Sequence, residues 1–167
     1  MAEGKTPANL LFLREEDLRQ GIELLFYAYR DFTAEADAML AELGFGRAHH
    51  RVIYFVGRKP GMTVSELLDI LKITKQSLSR VLGQLVKEEY ITQRPGLRDR
   101  RQRLLELTDK GKELERQLSE TQRALIAKAY RAAGAAAVEG FRKVLLGIIN
   151  EEDRRRFPRS PAGPGLR

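Results

Sequence analysis

The chain has 167 residues, 43% of them apolar, enough for one domain with a sizeable core. It contains no cysteine, which excludes disulfides, thiolate metal sites, a cysteine nucleophile and a redox-sensing thiol, and fits a reducing compartment. The net charge is +7, and from Arg51 to Arg103 twelve Lys and Arg face five Asp and Glu, so that segment holds the whole excess and the rest is balanced. Such a distribution is expected of a nucleic-acid-binding module carried on a neutral scaffold.

Apolar runs such as Leu10 to Leu13 are too short to span a bilayer, and Glu15, Glu16 and Asp17 stand where a signal peptide would show a small-residue cleavage site. A soluble, cytoplasmic protein is expected. From about Glu15 to Leu43, Leu18, Ile22, Leu25, Phe26, Tyr29, Phe32, Ala36, Met39, Leu40 and Leu43 recur at steps of three or four, predicting one long amphipathic helix that Gly44 and Gly46 end. A shorter helix follows from Arg47 to Arg58, and Lys59-Pro60-Gly61 breaks it. Thr63 with Glu66 three residues on is a capping-box signature, opening a helix that stops near Lys72. Thr74 is a second N-cap, and its helix places Leu78, Val81, Leu82, Leu85 and Val86 on one side and Lys75, Gln76, Ser79, Arg80 and Gly83 on the other. Two short helices and a tight turn make a helix-turn-helix candidate.

After Tyr90 the period shortens toward two. Ile91 to Arg94 and Arg103 to Leu107 read as paired strands, with Pro95-Gly96 and Arg98, Arg100, Arg101 and Arg103 in or beside the loop, the expected form of a basic wing. Thr108, Gly111 and Glu113 start a further helix to about Ala133, Gly134 bends or breaks it, and a last amphipathic helix runs from about Ala135 to Asn150. The expected fold is mainly α with a small β-hairpin wing: a winged helix-turn-helix whose terminal helices carry apolar stripes too wide for its small core. They pack on each other and on a second copy, which predicts a two-fold homodimer. The expected organisation is an N-terminal arm over 1–16, a helical dimerisation region over 17–46 and 108–157, a DNA-reading lobe over 47–107, and a disordered Pro/Gly-rich tail over 158–167.

The stretch Asp99-Arg100-Arg101-Gln102-Arg103-Leu104-Leu105-Glu106-Leu107-Thr108-Asp109-Lys110-Gly111 resembles the wing pattern of the multiple-antibiotic-resistance regulator (MarR) family of bacterial winged-helix transcription factors: Asp-x-Arg, a gap, Leu-Thr and a Gly. Gly46 to Arg51 and Ile73 to Arg80 are similar to the second and recognition helices of many members, and the resemblance covers the chain from about Asp17 to Ile149. It implies a homodimer, double-stranded DNA with a pseudo-palindromic operator as partner, repression, and relief of repression by a small phenolic or aromatic-acid effector.

A recognition helix in the major groove meets paired acceptors at guanine and an acceptor-donor pair at adenine, patterns suited to Arg80 and Gln76. Lys75, Ser77 and Ser79 are assigned to phosphates, and Thr63 and Ser65 add hydroxyls at a helix N-terminus. In the wing one of Arg98, Arg100 or Arg101 enters a narrow minor groove, Arg101 being the choice by family resemblance. Asp99 pairs with a neighbouring arginine to hold the loop. The adjacent His49 and His50 point about 100 degrees apart on a helix and make a poor metal pair. They either cap the contact between the first two helices and the DNA-binding lobe by hydrogen bonds or, with Tyr27, Arg30 and Tyr54, line an effector pocket there. No phosphate-binding glycine loop, helical His-x-x-x-His with an acid, or Ser-His-Asp context is present, so neither an enzyme nor a cofactor is expected. The competing function is a winged-helix adaptor that binds proteins without reading DNA.

Overall fold

The computed structural model describes residues 12–158, so the first eleven residues of the expected arm and the tail beyond Pro158 lie outside the described residues. The elements follow in the order α1 (Glu15–Glu42), α2 (Arg47–Arg58), β1 (Met62–Thr63), α3 (Val64–Leu71), α4 (Lys75–Lys87), β2 (Ile91–Pro95), β3 (Arg103–Leu107), α5 (Asp109–Ala133), α6 (Ala135–Ile148) and α7 (Glu151–Arg154). Glu15 and Glu16, expected in the arm, are the first residues of α1, where carboxylates complement the positive end of the helix. The chain forms two compact units that divide at Arg123 and Ala124, partway along α5.

The first unit holds the core. Its buried side chains include Val52, Ile53 and Val56 of α2, Leu67 of α3, Leu78, Val81, Leu82 and Leu85 of α4, and Ile91 and Leu105 of the sheet. Segment 47–107 does not close on itself: Ala36 and Leu40 from the end of α1, and Leu114 and Leu118 from the start of α5, complete the same cluster. Only that last third of α1 is buried, whereas Leu18, Ile22, Leu25 and Phe26 lie open to solvent.

The sheet has three strands in the order β1-β3-β2, one more than the expected hairpin. Met62 pairs with Leu105 and Thr63 with Leu104, and the Gly61 N–H donates to Leu105 O at 2.8 Å. A two-residue strand shows no periodicity of its own and exists only because β3 offers a free edge. On the other side, β2 pairs with β3 from Ile91 opposite Leu107 to Pro95 opposite Arg103.

The junction of wing and α5 gives the Leu-Thr-x-x-Gly stretch its physical meaning. The Thr108 hydroxyl lies 2.6 Å from Glu89 O and 3.3 Å from Tyr90 O, and accepts the Gly111 N–H at 3.0 Å. Gly111 is pressed so closely on Tyr90 that an added Cβ would lie 2.1 Å from the Tyr90 carbonyl oxygen. Here glycine is required by close approach, because the helical backbone itself suits any residue.

In the second unit, Gly134 takes φ +84° and separates α5 from α6. Tyr130 and Phe141 meet edge to face at 6.2 Å, and Arg154 donates to Ile149 O at 2.8 Å and Gly147 O at 3.2 Å, capping the end of α6. Phe141, Val144 and Ile148 remain exposed on α6. The short helix α7, absent from the expected elements, is opened by Asn150, whose side chain accepts the Asp153 N–H at 2.9 Å.

Candidate nucleic-acid interface

Both helices of the helix-turn-helix begin where their threonines dictate. Thr63 Oγ1 accepts the Glu66 N–H at 3.1 Å while Glu66 Oε2 accepts the Thr63 N–H at 2.8 Å, a reciprocal cap. Lys59 joins Glu66 at 2.6 Å, and the hydrogen bond from Lys59, then that from the Thr63 backbone, holds the Glu66 carboxyl below its ordinary value. The Thr63 hydroxyl is therefore committed to the cap, and Ser65 is the exposed hydroxyl at this helix start. The turn passes through Lys72 at φ 51°, whose N–H donates to Leu68 O at 2.9 Å. Thr74 caps α4 by accepting the Ser77 N–H at 3.1 Å and donating to Ser77 Oγ at 2.9 Å, so Ser77 is half-buried beside its cap.

The outer face of α4 carries Lys75, Gln76, Ser79 and Arg80, all exposed. Among the described residues none of these side chains has a hydrogen-bond or ion-pair partner, and the same holds for Arg98, Arg100, Arg101 and Arg103 at the wing. Cations nearby that serve the scaffold are paired: Lys59 with Glu66, Lys72 with Asp69 at 3.0 Å, and Arg94 across the hairpin with Glu106. These free cations sit on the two elements that a groove would admit.

The wing loop is braced by its own backbone. Gly96 N–H donates to Gln102 O at 3.0 Å, Gln102 N–H to Asp99 O at 3.1 Å, and Arg101 N–H to Asp99 Oδ1 at 2.9 Å. Asp99 does hold the loop, but through the backbone N–H of Arg101 instead of the expected guanidinium, the geometry of an Asx-turn. Gly96 is buried, and a Cβ there would lie 2.6 Å from Asp99 O. This requirement, like the role of Gln84 below, left no local pattern in the sequence.

The two histidines have different environments. The Gly46 N–H donates to His49 Nδ1 at 3.1 Å, so Nε2 carries the proton and donates to Gln84 Oε1, 2.8 Å away on α4. Phe45 stacks on the imidazole at 4.7 Å. His49 therefore links the start of α2 to α4. His50 is half-buried; burial pushes its imidazole below the ordinary value, Asp37 and Glu115 pull it up and Arg51 opposes them.

Of the other effector candidates, Arg30 lies over the Tyr27 ring at 4.7 Å and pairs with Asp31 at 2.8 Å, while Tyr54 packs edge-on against Phe55 at 5.2 Å. A pocket of about 160 Å³ between the end of α2, β3 and the start of α5 is lined by Val56, Pro60, Glu106, Leu107 and Glu115, and by none of Tyr27, Arg30, His49, His50 and Tyr54. Among the described residues no three His, Asp or Glu side chains gather as a metal site, and no helix is long and apolar enough to cross a membrane.

A helix-turn-helix with one side of its second helix free, followed by a basic three-stranded wing, defines a winged-helix protein of the nucleic-acid-reading class. A MarR family model matches residues 43–102. The chain is 50% identical over 159 residues to the HTH-type transcriptional regulator PetP of Rhodobacter capsulatus, covering 94% of this chain and 96% of that one. The chain belongs to the MarR family of winged-helix transcriptional regulators. Its fold is similar to that of Streptococcus pneumoniae FabT in complex with DNA (TM-score 0.70, 21% identity, 79% of this chain and 94% of that one). It is also similar to a mutant MarR from E. coli complexed with operator DNA (TM-score 0.62, 21% identity, 84% and 99%).

Proposed function

We propose that this regulator binds a pseudo-palindromic duplex operator as a homodimer in the cytosol and represses transcription by covering the promoter. The observation that carries the reading is the set of unpartnered side chains on α4 and the wing: Lys75, Gln76, Ser79 and Arg80 with Arg98, Arg100, Arg101 and Arg103. Gln76 and Arg80 read base edges, Lys75, Ser77, Ser79 and Ser65 position the backbone, and Arg98, Arg100 or Arg101 enters the minor groove. That two neighbours of the fold were crystallised with DNA supports this assignment.

Dimerisation answers a separate fact. Leu18, Ile22, Leu25 and Phe26 of α1, and Phe141, Val144 and Ile148 of α6, are exposed apolar side chains on two long helices. In this reading a second copy covers these faces. In this reading 17–46 and 108–157 form the dimer region, and two recognition helices lie roughly 34 Å or a multiple apart.

An aromatic acid or phenol that relieves repression belongs to the same proposal, seated beside Tyr27, Arg30, His50 and Tyr54. It must favour one spacing of the reading heads, because equal affinity for both would shift nothing. Thermal-shift screening of such acids, followed by operator titration, tests this part. Selection from random duplexes tests the main reading. It should recover a near-palindrome with half-sites about one helical turn apart, and affinity should fall steeply with salt, less steeply for Arg101→Ala. Recovery of no preferred duplex refutes the proposal.

A further inference from the structure

The wing carries an apolar residue at its tip that neither the core nor the hairpin uses. Leu97 is 96% exposed, the highest value of any large apolar side chain among the described residues. Its mount is rigid. Gly96 on one side is buried with no room for a Cβ, and the bonds from Gly96 to Gln102, Gln102 to Asp99 and Arg101 to Asp99 brace the loop around it. Its neighbours Arg98, Arg100 and Arg101 are exposed and have no acidic partner among the described residues.

We infer that Leu97 is a contact residue in its own right, an apolar wedge that the wing arginines carry into the DNA minor groove. The inference rests on the duplex-reading function proposed above. Charge complementarity selects the occupant: three exposed guanidinium groups within four residues of the leucine call for a surface of closely spaced phosphates with apolar material between them. The minor groove has this composition, with phosphate rails outside and deoxyribose walls within, and apolar side chains that enter it pack against base steps. A solvent-exposed acidic protein surface would satisfy the arginines but leave the leucine in water. The seat is deepest at A·T pairs, because the exocyclic amino group of guanine stands on the minor-groove floor of a G·C pair.

The test uses the full chain, the duplex recovered by selection, and the variants Leu97→Ser, Leu97→Met and Arg101→Ala. Leu97→Ser should weaken duplex binding about tenfold at every salt concentration, as loss of a largely buried leucine requires, while leaving the salt slope and the thermal midpoint unchanged. Leu97→Met, which keeps an apolar side chain, should bind within about twofold of the parent. Arg101→Ala should change the slope, so that charge and apolar contact separate. Replacing the flanking A·T pairs beneath the wing by G·C should shrink the tenfold ratio between parent and Leu97→Ser toward one.

If Leu97→Ser binds the selected duplex as tightly as the parent, the wedge is wrong while DNA reading stands, and the tip serves a partner of another class. The same tenfold ratio on G·C flanks also overturns the minor-groove placement. If the parent prefers no duplex, the function itself falls and the wedge falls with it.

Discussion

Replacing Gly111 by alanine sets two physical effects against each other. In an open helical position the change stabilises by about 1 kcal/mol, because glycine loses more backbone entropy on ordering. At Gly111 the added Cβ would meet Tyr90 O at 2.1 Å, Tyr90 C at 3.1 Å and Leu107 Cβ at 3.4 Å. Carbon–oxygen contacts settle near 3.3 to 3.6 Å, so α5 and Tyr90 must part by more than about 1 Å. That movement strains Thr108, whose N–H donates to Tyr90 O at 3.1 Å and whose hydroxyl reaches Glu89 O at 2.6 Å and receives the Gly111 N–H. Loss of two such bonds costs about 0.5 to 1.5 kcal/mol each and overpacking about 1 to 3 kcal/mol, against the gain of about 1. The expected net effect is a destabilisation of about 1 to 5 kcal/mol. Gly83 on α4, with nothing within 4 Å of an added Cβ, is the control and should gain about 0.5 to 1 kcal/mol when replaced by alanine. Urea unfolding followed by circular dichroism, at one protein concentration, measures both. A Gly111→Ala protein as stable as the parent would refute the close-approach argument.

His49→Ala removes one part-buried and one exposed hydrogen bond and the ring stack on Phe45, and should cost about 2 kcal/mol by denaturant titration; a change under about 0.5 would show that the link to Gln84 carries nothing. Because burial lowers the folded-state affinity of His50 for its proton, the unfolded chain binds that proton more readily. Stability from this group is therefore complete above about pH 6.5 and declines as the pH falls through that value toward the lower folded one. The stability profile of His50→Gln should be flatter between about pH 7 and 5 than that of the parent, and an identical slope in both proteins contradicts the assignment. Arg80→Ala should cost about 1 to 3 kcal/mol in operator affinity and relax selection at one base-pair position per half-site; uniform weakening across all sequences would make Arg80 a phosphate contact instead.

Elements with local chemistry at their ends were legible in the sequence. Thr63 with Glu66, Thr74, and the Lys59-Pro60-Gly61 break each act within four residues, and the helices they delimit begin and end where those signals place them. The free face of α4 and the basic wing were equally readable, since an outward face is defined by what a helix does not bury. What depends on partners far along the chain was hidden. β1 needs the edge of β3, Gln84 needs His49 on another helix, and Asp99 chose a backbone N–H that no charge pattern announces. The glycine of the wing motif could be quoted from resemblance, but its cause, the Tyr90 carbonyl against its Cα, requires the fold.

These hidden contacts form one continuous set around the far end of the recognition helix. The Tyr90 carbonyl is gripped by Thr108, and its ring meets Phe45 edge-on at 5.3 Å; Phe45 stacks on His49, and His49 holds Gln84, which in turn donates to Glu88 at 3.1 Å. The other end of α4, with Lys75, Gln76, Ser79 and Arg80, is anchored on its inner side by Leu78, Val81 and Leu82 and carries no polar tie on its outer face. The aim of the proposed reading residues is thus set from the Gln84 end, where Phe45, just after α1, and the start of α5 both make contact. A helix of 13 residues is about 20 Å long, so a tilt of about 5 degrees at that pivot moves the reading end by nearly 2 Å. Displacement on that scale exceeds the tolerance of a bidentate contact to a base. In the function proposed above, an effector acting on α1 or α5 therefore needs no contact with the proposed DNA-reading side chains to loosen the grip on an operator.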